Sequence, residues 1–140
     1  MGNAFDAVMT WWKVFEEVDL DDLSRYVEPD AEITMPGGIV LRGPDELRQM
    51  LGAYRAAFPV MKHELVSVVE DETRAALELR VIMQHDGPFP TAHGVIEPTG
   101  KTVVIESVEI VEIDGRGKVK TWRTYFDQAS FLAQLGISTA

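Results

Sequence analysis

Few groups in this 140-residue chain can do chemistry. There is no cysteine, so thiolate ligands, disulfides and thiol nucleophiles drop out together. The histidines are His63, His85 and His93. None makes a ligand spacing such as His-x-x-x-His, and no metal site is expected. Phosphate-cradling glycine loops, nucleophile elbows and catalytic triads are absent from the sequence. What remains is proton transfer by carboxylates and imidazoles. His63 alternates with Met61 and Leu65 and reads equally as a base and as a partly buried, hydrogen-bonded histidine. Near the C-terminus, Trp122, Thr124 and Phe126 fall on one face of a strand and Arg123, Tyr125 and Asp127 on the other, because strand side chains alternate.

These groups need a scaffold, and the bulk numbers bound it. The length suggests one domain, residues 1–140, large enough to bury a core without covalent staples. The formal net charge is -10, which repels phosphate backbones and anionic lipid, so neither nucleic acid nor membrane is an expected partner. No apolar run approaches the roughly 18 residues of a membrane span. The N-terminal residues lack the basic start of a secretory signal, so a cytoplasmic location is expected.

The hydrophobic period then sets the elements. Asn3 can cap a first helix with Phe5, Val8, Met9, Trp12 and Phe15 on one face, and Trp11, Trp12 and Phe15 are expected in the core. Asp19 can cap a short second helix, with Leu20, Leu23 and Tyr26 inward, ended by Pro29-Asp30. A strand at Ala31–Met35 turns through Pro36-Gly37-Gly38 into Ile39–Leu41. Gly43-Pro44-Asp45-Glu46 starts a third helix, lined by Leu47, Met50, Leu51, Tyr54 and Phe58 and stopped by Pro59. Strands are expected over Val60–Val69 and Arg74–His85, a loop over Asp86–Pro98, a hairpin of Lys101–Ile113 with Lys118–Phe126, and a short helix from about Gln128 to Gly136. Asp127 sits where it can cap that last helix. The order is α+β: helices packed against a long antiparallel sheet, with an apolar outer sheet face suited to a homodimer.

Four segments carry a family resemblance: Pro98-Thr99-Gly100-Lys101, Gly117-Lys118-Val119, Trp122-Arg123-Thr124-Tyr125-Phe126-Asp127 and Gln134-Leu135-Gly136. They resemble the SnoaL-like polyketide cyclases of the nuclear transport factor 2-like superfamily. The Trp-Arg-x-Tyr-Phe-Asp run is also similar to limonene epoxide hydrolase. The resemblance implies a cone of three N-terminal helices packed in a curved antiparallel sheet around a pocket, with Trp122, Thr124 and Phe126 facing inward. In both families the residue between Arg and Tyr is the catalytic aspartate, and here it is Thr124, whose hydroxyl is no acid or base near neutral pH. Three further positions depart from the epoxide hydrolase pattern. Arg80 matches its arginine but Ile82 stands where an aspartate is expected, and Glu32 and Thr34 replace a tyrosine and an asparagine. Epoxide hydrolysis by the family mechanism is therefore disfavoured.

The resemblance places Glu32, Thr34, Arg80, Gln84, Trp122 and Thr124 around one cavity, joined by Ser107 and Glu109, with Ile105 and Phe126 in its apolar wall. A carboxylate in such a cavity has a raised pKa and can shuttle protons; Glu32 and Glu109 are the candidates. Glu32 is the preferred base ahead of His63, with Arg80 or Trp122 as donor to an enolate oxygen. The competing face for the strand puts Ala75, Leu77, Leu79, Val81 and Met83 inside and turns Arg80 outward. The expected ligand is a small apolar polyketide-, terpenoid- or steroid-like molecule, and no cofactor is implied. Two functions stay open: an aldol cyclase or isomerase working by proton transfer, and a non-catalytic binding or accessory protein that has lost the family acid.

Overall fold

A computed structural model of the chain describes residues 6, 8–9, 20–91 and 94–137. The helix and core expectations for Asn3, Phe5, Trp11, Trp12, Phe15 and Asp19 lie outside the described residues, as does His93. Asp6, Val8 and Met9 are helical, and Val8 is buried in the core. Leu20–Arg25 forms a 3-10 helix with Leu23 buried.

Eight strands and two helices follow: β1 (Val27–Met35), β2 (Ile39–Arg42), α1 (Gly43–Ala57), β3 (Val60–Glu70), β4 (Arg74–Gln84), β5 (Phe89–Thr91), β6 (Gly94–Ile96), β7 (Thr102–Ile113), β8 (Val119–Phe126) and α2 (Gln128–Gln134). Six strands make one sheet in the order β2-β1-β8-β7-β4-β3, and β5 with β6 makes a separate hairpin. The sheet is mixed, because β1 runs parallel to β8 while the other pairs are antiparallel. The all-antiparallel expectation is thereby corrected: the first strand returns to the far end of the chain instead of pairing only with its neighbour in sequence.

Two further differences have local causes. Pro29-Asp30 does not end a helix but lies inside β1, where the register to β8 shifts between Val27 and Glu32. A proline lacks the ladder N–H, so it is tolerated at such an irregularity. The loop expected over Asp86–Pro98 contains the β5–β6 hairpin, in which Phe89 is buried and packs edge-on against Tyr54 and Phe58.

Helix α1 begins on Gly43, whose φ is +75° and whose Cβ, if present, would lie 2.5 Å from the Pro29 carbonyl oxygen. Only glycine fits both constraints. The helix buries Leu47, Leu51 and Ala57 and turns Met50 and Tyr54 to the same side, the i, i+3, i+4, i+7 spacing of one helical face. Phe58 caps its end with an N–H bond of 2.7 Å to the Tyr54 carbonyl. Asp127 caps α2 by accepting from the Ser130 N–H at 3.0 Å, so its side chain serves the helix start rather than the cavity.

The inner face of the sheet is read directly from the registers. Ala75, Leu77, Leu79, Val81 and Met83 of β4 are buried and Glu78, Arg80 and Gln84 are exposed. Burying the charged row without partners would cost several kcal/mol, on the order of 2–7 per unsatisfied polar group, so the apolar row wins the core. Among the described residues, no helix is long and apolar enough to cross a membrane.

Candidate functional site

Between α1, α2 and the inner sheet face lies a cavity of about 90 Å³. The sheet supplies its polar end. Glu109 of β7 is paired with Thr124 of β8 on one side and Leu77 of β4 on the other. Ser107 and Val111 flank it along β7, opposite Phe126 and Trp122 respectively. Directly opposed residues of one face hold their Cβ atoms about 4.5–5.5 Å apart, so Glu109, Thr124 and Trp122 form one polar cluster in an apolar wall. The helices close it with Met50, Leu51 and Tyr54 from α1 and Phe131 from α2.

The electrostatics follow from burial. Burial pushes the Glu109 carboxyl up to about 7, and the Trp122 indole N–H near it offsets part of that rise. Glu109 is thus held where both its acid and its carboxylate are populated near neutral pH. Burial also pushes the Tyr54 phenol up to about 12, which keeps it a neutral donor. The Thr124 Oγ1 atom is buried without a hydrogen-bond partner. A buried hydroxyl in that state costs about 1–3 kcal/mol and is ready to bond a polar group of a ligand or water.

The cavity brings together His63, Ile105, Ser107, Glu109, Trp122, Thr124 and Phe126 from the expected set. Glu32, Thr34, Arg80, Ile82 and Gln84 do not line it. On β1, Ile33 is the residue paired with Trp122, so Ala31 and Ile33 are buried while Glu32 and Thr34 take the opposite face. Glu32 is exposed there and pairs with Arg42 of the edge strand β2 at 3.3 Å. On β4, Arg80, Ile82 and Gln84 alternate with the buried Val81 and Met83 and so face outward. Arg80 is thereby removed as a donor to the cavity, and Glu32 as its base.

His63 reaches the cavity, but far from Glu109. It is paired with Val81 on β4, which is paired with Ile105 on β7, four residues from Glu109. That is roughly 16 Å along the sheet, from about 4.8 Å per strand and 3.3 Å per residue. The two groups stand at opposite ends of the cavity instead of forming a dyad. His85 is different again: it is fully buried, its ring tilted against Phe58 with centroids 5.3 Å apart, and its Nδ1 accepts from the Thr99 backbone N–H at 3.2 Å. Its part is to fix the turn after β4. Among the described residues, no group of three histidine, aspartate or glutamate side chains is placed to hold a metal ion.

The cavity residues missed from the sequence are Met35, Met50, Leu51, Met61 and Phe131, together with Tyr54 as a polar group, while Val81 and Met83 belong to the competing inner face of the strand. Tyr54 was legible as part of an apolar helix face; nothing in its spacing singles out its hydroxyl.

No curated protein matches the chain in sequence. Solved structures resemble it strongly in fold. AclR from Streptomyces galilaeus superposes with a TM-score of 0.78 at 22% identity, covering 95% of this chain and 80% of that one. An LEH-like epoxide hydrolase from M. tuberculosis gives 0.71 at 16% identity, over 95% and 89% of the two chains. TerC, co-crystallised with polyporic acid, gives 0.75 at 15% identity, over 97% and 100%. At these identities the likeness shows the nuclear transport factor 2-like fold. The SnoaL-like polyketide cyclase family model matches residues 5–135, nearly the whole length over which the mixed sheet and its cavity are built, and the chain belongs to that family.

Proposed function

We propose that the cavity binds a small, weakly polar organic molecule and catalyses proton transfer on it, as an aldol cyclase or isomerase of an enolisable carbonyl compound, with Glu109 as the acid–base group. The observation that carries this reading is the place of the acid. The family aspartate position is Thr124, and a fully buried carboxyl stands directly opposite it, one strand over, at Glu109. In this reading the Glu109 carboxylate takes a proton from the carbon beside the carbonyl. The electron pair of that C–H bond moves to the carbonyl oxygen as an enolate. Tyr54 and Thr124 are the neutral donors available to that oxygen. The enolate then recovers the proton from Glu109 at another carbon, or attacks a second carbonyl whose alkoxide takes that proton. The small organic ligand held by the similarly folded TerC supports the binding half of the reading.

The test is exchange of the α-protons of an enolisable cyclic ketone in D2O, followed by NMR. The base form of Glu109 is the active one in that assay, so the rate is expected to rise with pH and level off above about 7. A second reading, a binding protein without catalysis, is favoured by Thr124 itself. Saturable ketone binding with no exchange above the uncatalysed rate at any pH would select it.

We also propose a homodimer through the outer sheet face. Val108 and Tyr125 sit opposite each other there, both well exposed, with Val104 on the same row. Exposed apolar side chains gathered on one sheet face, here with Glu106 between Val104 and Val108, mark interaction surfaces. Light scattering at micromolar concentration is expected to give twice the chain mass of 15.6 kDa; a species of the single-chain mass alone would contradict it.

A further inference from the structure

The size and lining of the cavity narrow the ligand further than the fold does, and this step rests on the cavity being the reaction site proposed above. An apolar cavity of about 150 Å³ takes benzene. This one is about 90 Å³, so even one six-membered ring requires side chains to move. The side chains that can move are methionines. Met35, Met50 and Met61 are half-buried, unbranched and able to repack at small cost. The floor is rigid by comparison: Met83, paired with Met61 across β3 and β4, is 2% exposed, and Val81 beside it is also buried. Rotating three methionines can make room for a ring; seating a fused tetracycle within these walls would also displace the buried Leu51, Val81 and Met83.

Charge narrows it again. Among the described residues, no lysine or arginine lines the cavity, and its one carboxyl group is Glu109. An anionic ligand seated at the polar end would lose its hydration beside the Glu109 carboxyl, with the basic His63 at the far end of the cavity. The polar end offers instead the unpartnered Thr124 hydroxyl as donor to a single carbonyl oxygen, with the Glu109 carboxyl one strand over to meet the carbon beside it. We infer that the substrate is a neutral, single-ring carbonyl compound, its oxygen seated at Thr124, the carbon beside that carbonyl facing Glu109 and its ring among the methionines, rather than a polycyclic or acidic one.

The experiment labels the methionine methyl groups with 13C and titrates the protein with four probes: cyclohex-2-enone, 2-tetralone, a four-ring steroid enone and cyclohexanecarboxylate. The enone is expected to shift the Met50, Met61 and Met83 methyl signals saturably. The steroid and the carboxylate are expected to bind at least tenfold more weakly. Met61→Ala is expected to improve 2-tetralone binding relative to cyclohex-2-enone by about tenfold, since it removes part of the mobile wall without touching the polar end. Equal or tighter binding of the steroid or the carboxylate overturns the inference, as does the absence of any methyl shift with every probe. Proton exchange on the bound steroid would then leave the proton-transfer reading standing. Conversely, tight binding of the single ring without exchange of its α-protons supports the size inference and overturns the catalytic reading.

Discussion

Glu109→Gln is expected to lower ketone α-proton exchange by about 10²–10⁴-fold, the usual contribution of a positioned acid or base, while making the protein more stable above neutral pH. The two effects share one cause. The carboxyl is fully buried and its pKa is raised from 4.5 to about 7. Below pH 4.5 it is protonated whether the chain is folded or unfolded, and it imposes no ionic penalty. Between 4.5 and 7 the unfolded chain releases the proton and the folded chain keeps it, so stability falls as pH rises. Above 7 both states are ionised and the penalty is complete, on the order of 3 kcal/mol at 1.36 kcal/mol per pH unit. Glutamine keeps the shape and removes the charge. Chemical denaturation at pH 4 and pH 8 is expected to find the variant close to the parent at the lower pH and clearly more stable at the higher one. A variant that matches the parent at both pH values would mean that the carboxylate is well solvated.

Phe58→Ala is expected to cost about 3–5 kcal/mol, as large-to-small changes at filled aromatic positions do. Phe58 is 1% exposed. Its ring meets Tyr54 at 6.2 Å, His85 at 5.3 Å, Phe89 at 5.5 Å and Phe131 at 5.9 Å. It therefore ties the end of α1 to the β5–β6 hairpin, the turn after β4 and α2. Tyr54 and Phe131 are also cavity walls, so the damage extends to the site. Differential scanning calorimetry is expected to show a Tm lower by about 10 °C or more, with ketone binding weakened in the part that stays folded. A loss below about 1 kcal/mol would mean that the site collapses around the smaller side chain, and that Phe58 is no clasp.

How much of this was legible in the sequence depended on the range of the interaction. Local signals held. The Gly43-Pro44 helix start, the Asp127 cap and the Lys101–Phe126 hairpin each lie where spacing and turn chemistry put them. Faces were harder, because they depend on registers between strands. On β4 the charged and apolar rows alternate cleanly, and the apolar row alone argues that Arg80 faces out; the resemblance to an arginine of the epoxide hydrolases pointed the other way. On β7 both rows contain carboxylates, Glu109 inside and Glu106 outside. Counting back from the hairpin turn would pair Trp122 with Ile110 and send Glu109 outward. The irregularity between Glu112 and Ile113 inserts one residue, so Trp122 pairs with Val111 and Glu109 with Thr124. A one-residue slip exchanges the two faces of a strand, and a bulge of this kind leaves no mark in composition or period. Glu32 was misplaced for the same reason: the parallel pairing of β1 with β8 sets Ile33, not Glu32, beside Trp122.

The proposed chemistry requires Glu109 to be a buried acid in the cavity, and the titration of that carboxyl tests this most directly. With 13C-labelled glutamate, the Glu109 side-chain carboxyl signal, assigned by its loss in Glu109→Gln, can be followed from pH 3 to pH 9. The expected midpoint is near 7, moving when cyclohex-2-enone is added. A midpoint near the ordinary glutamate value of about 4.3, unmoved by ligand, would place the carboxyl in water and contradict the site, its chemistry and the ligand argued from it.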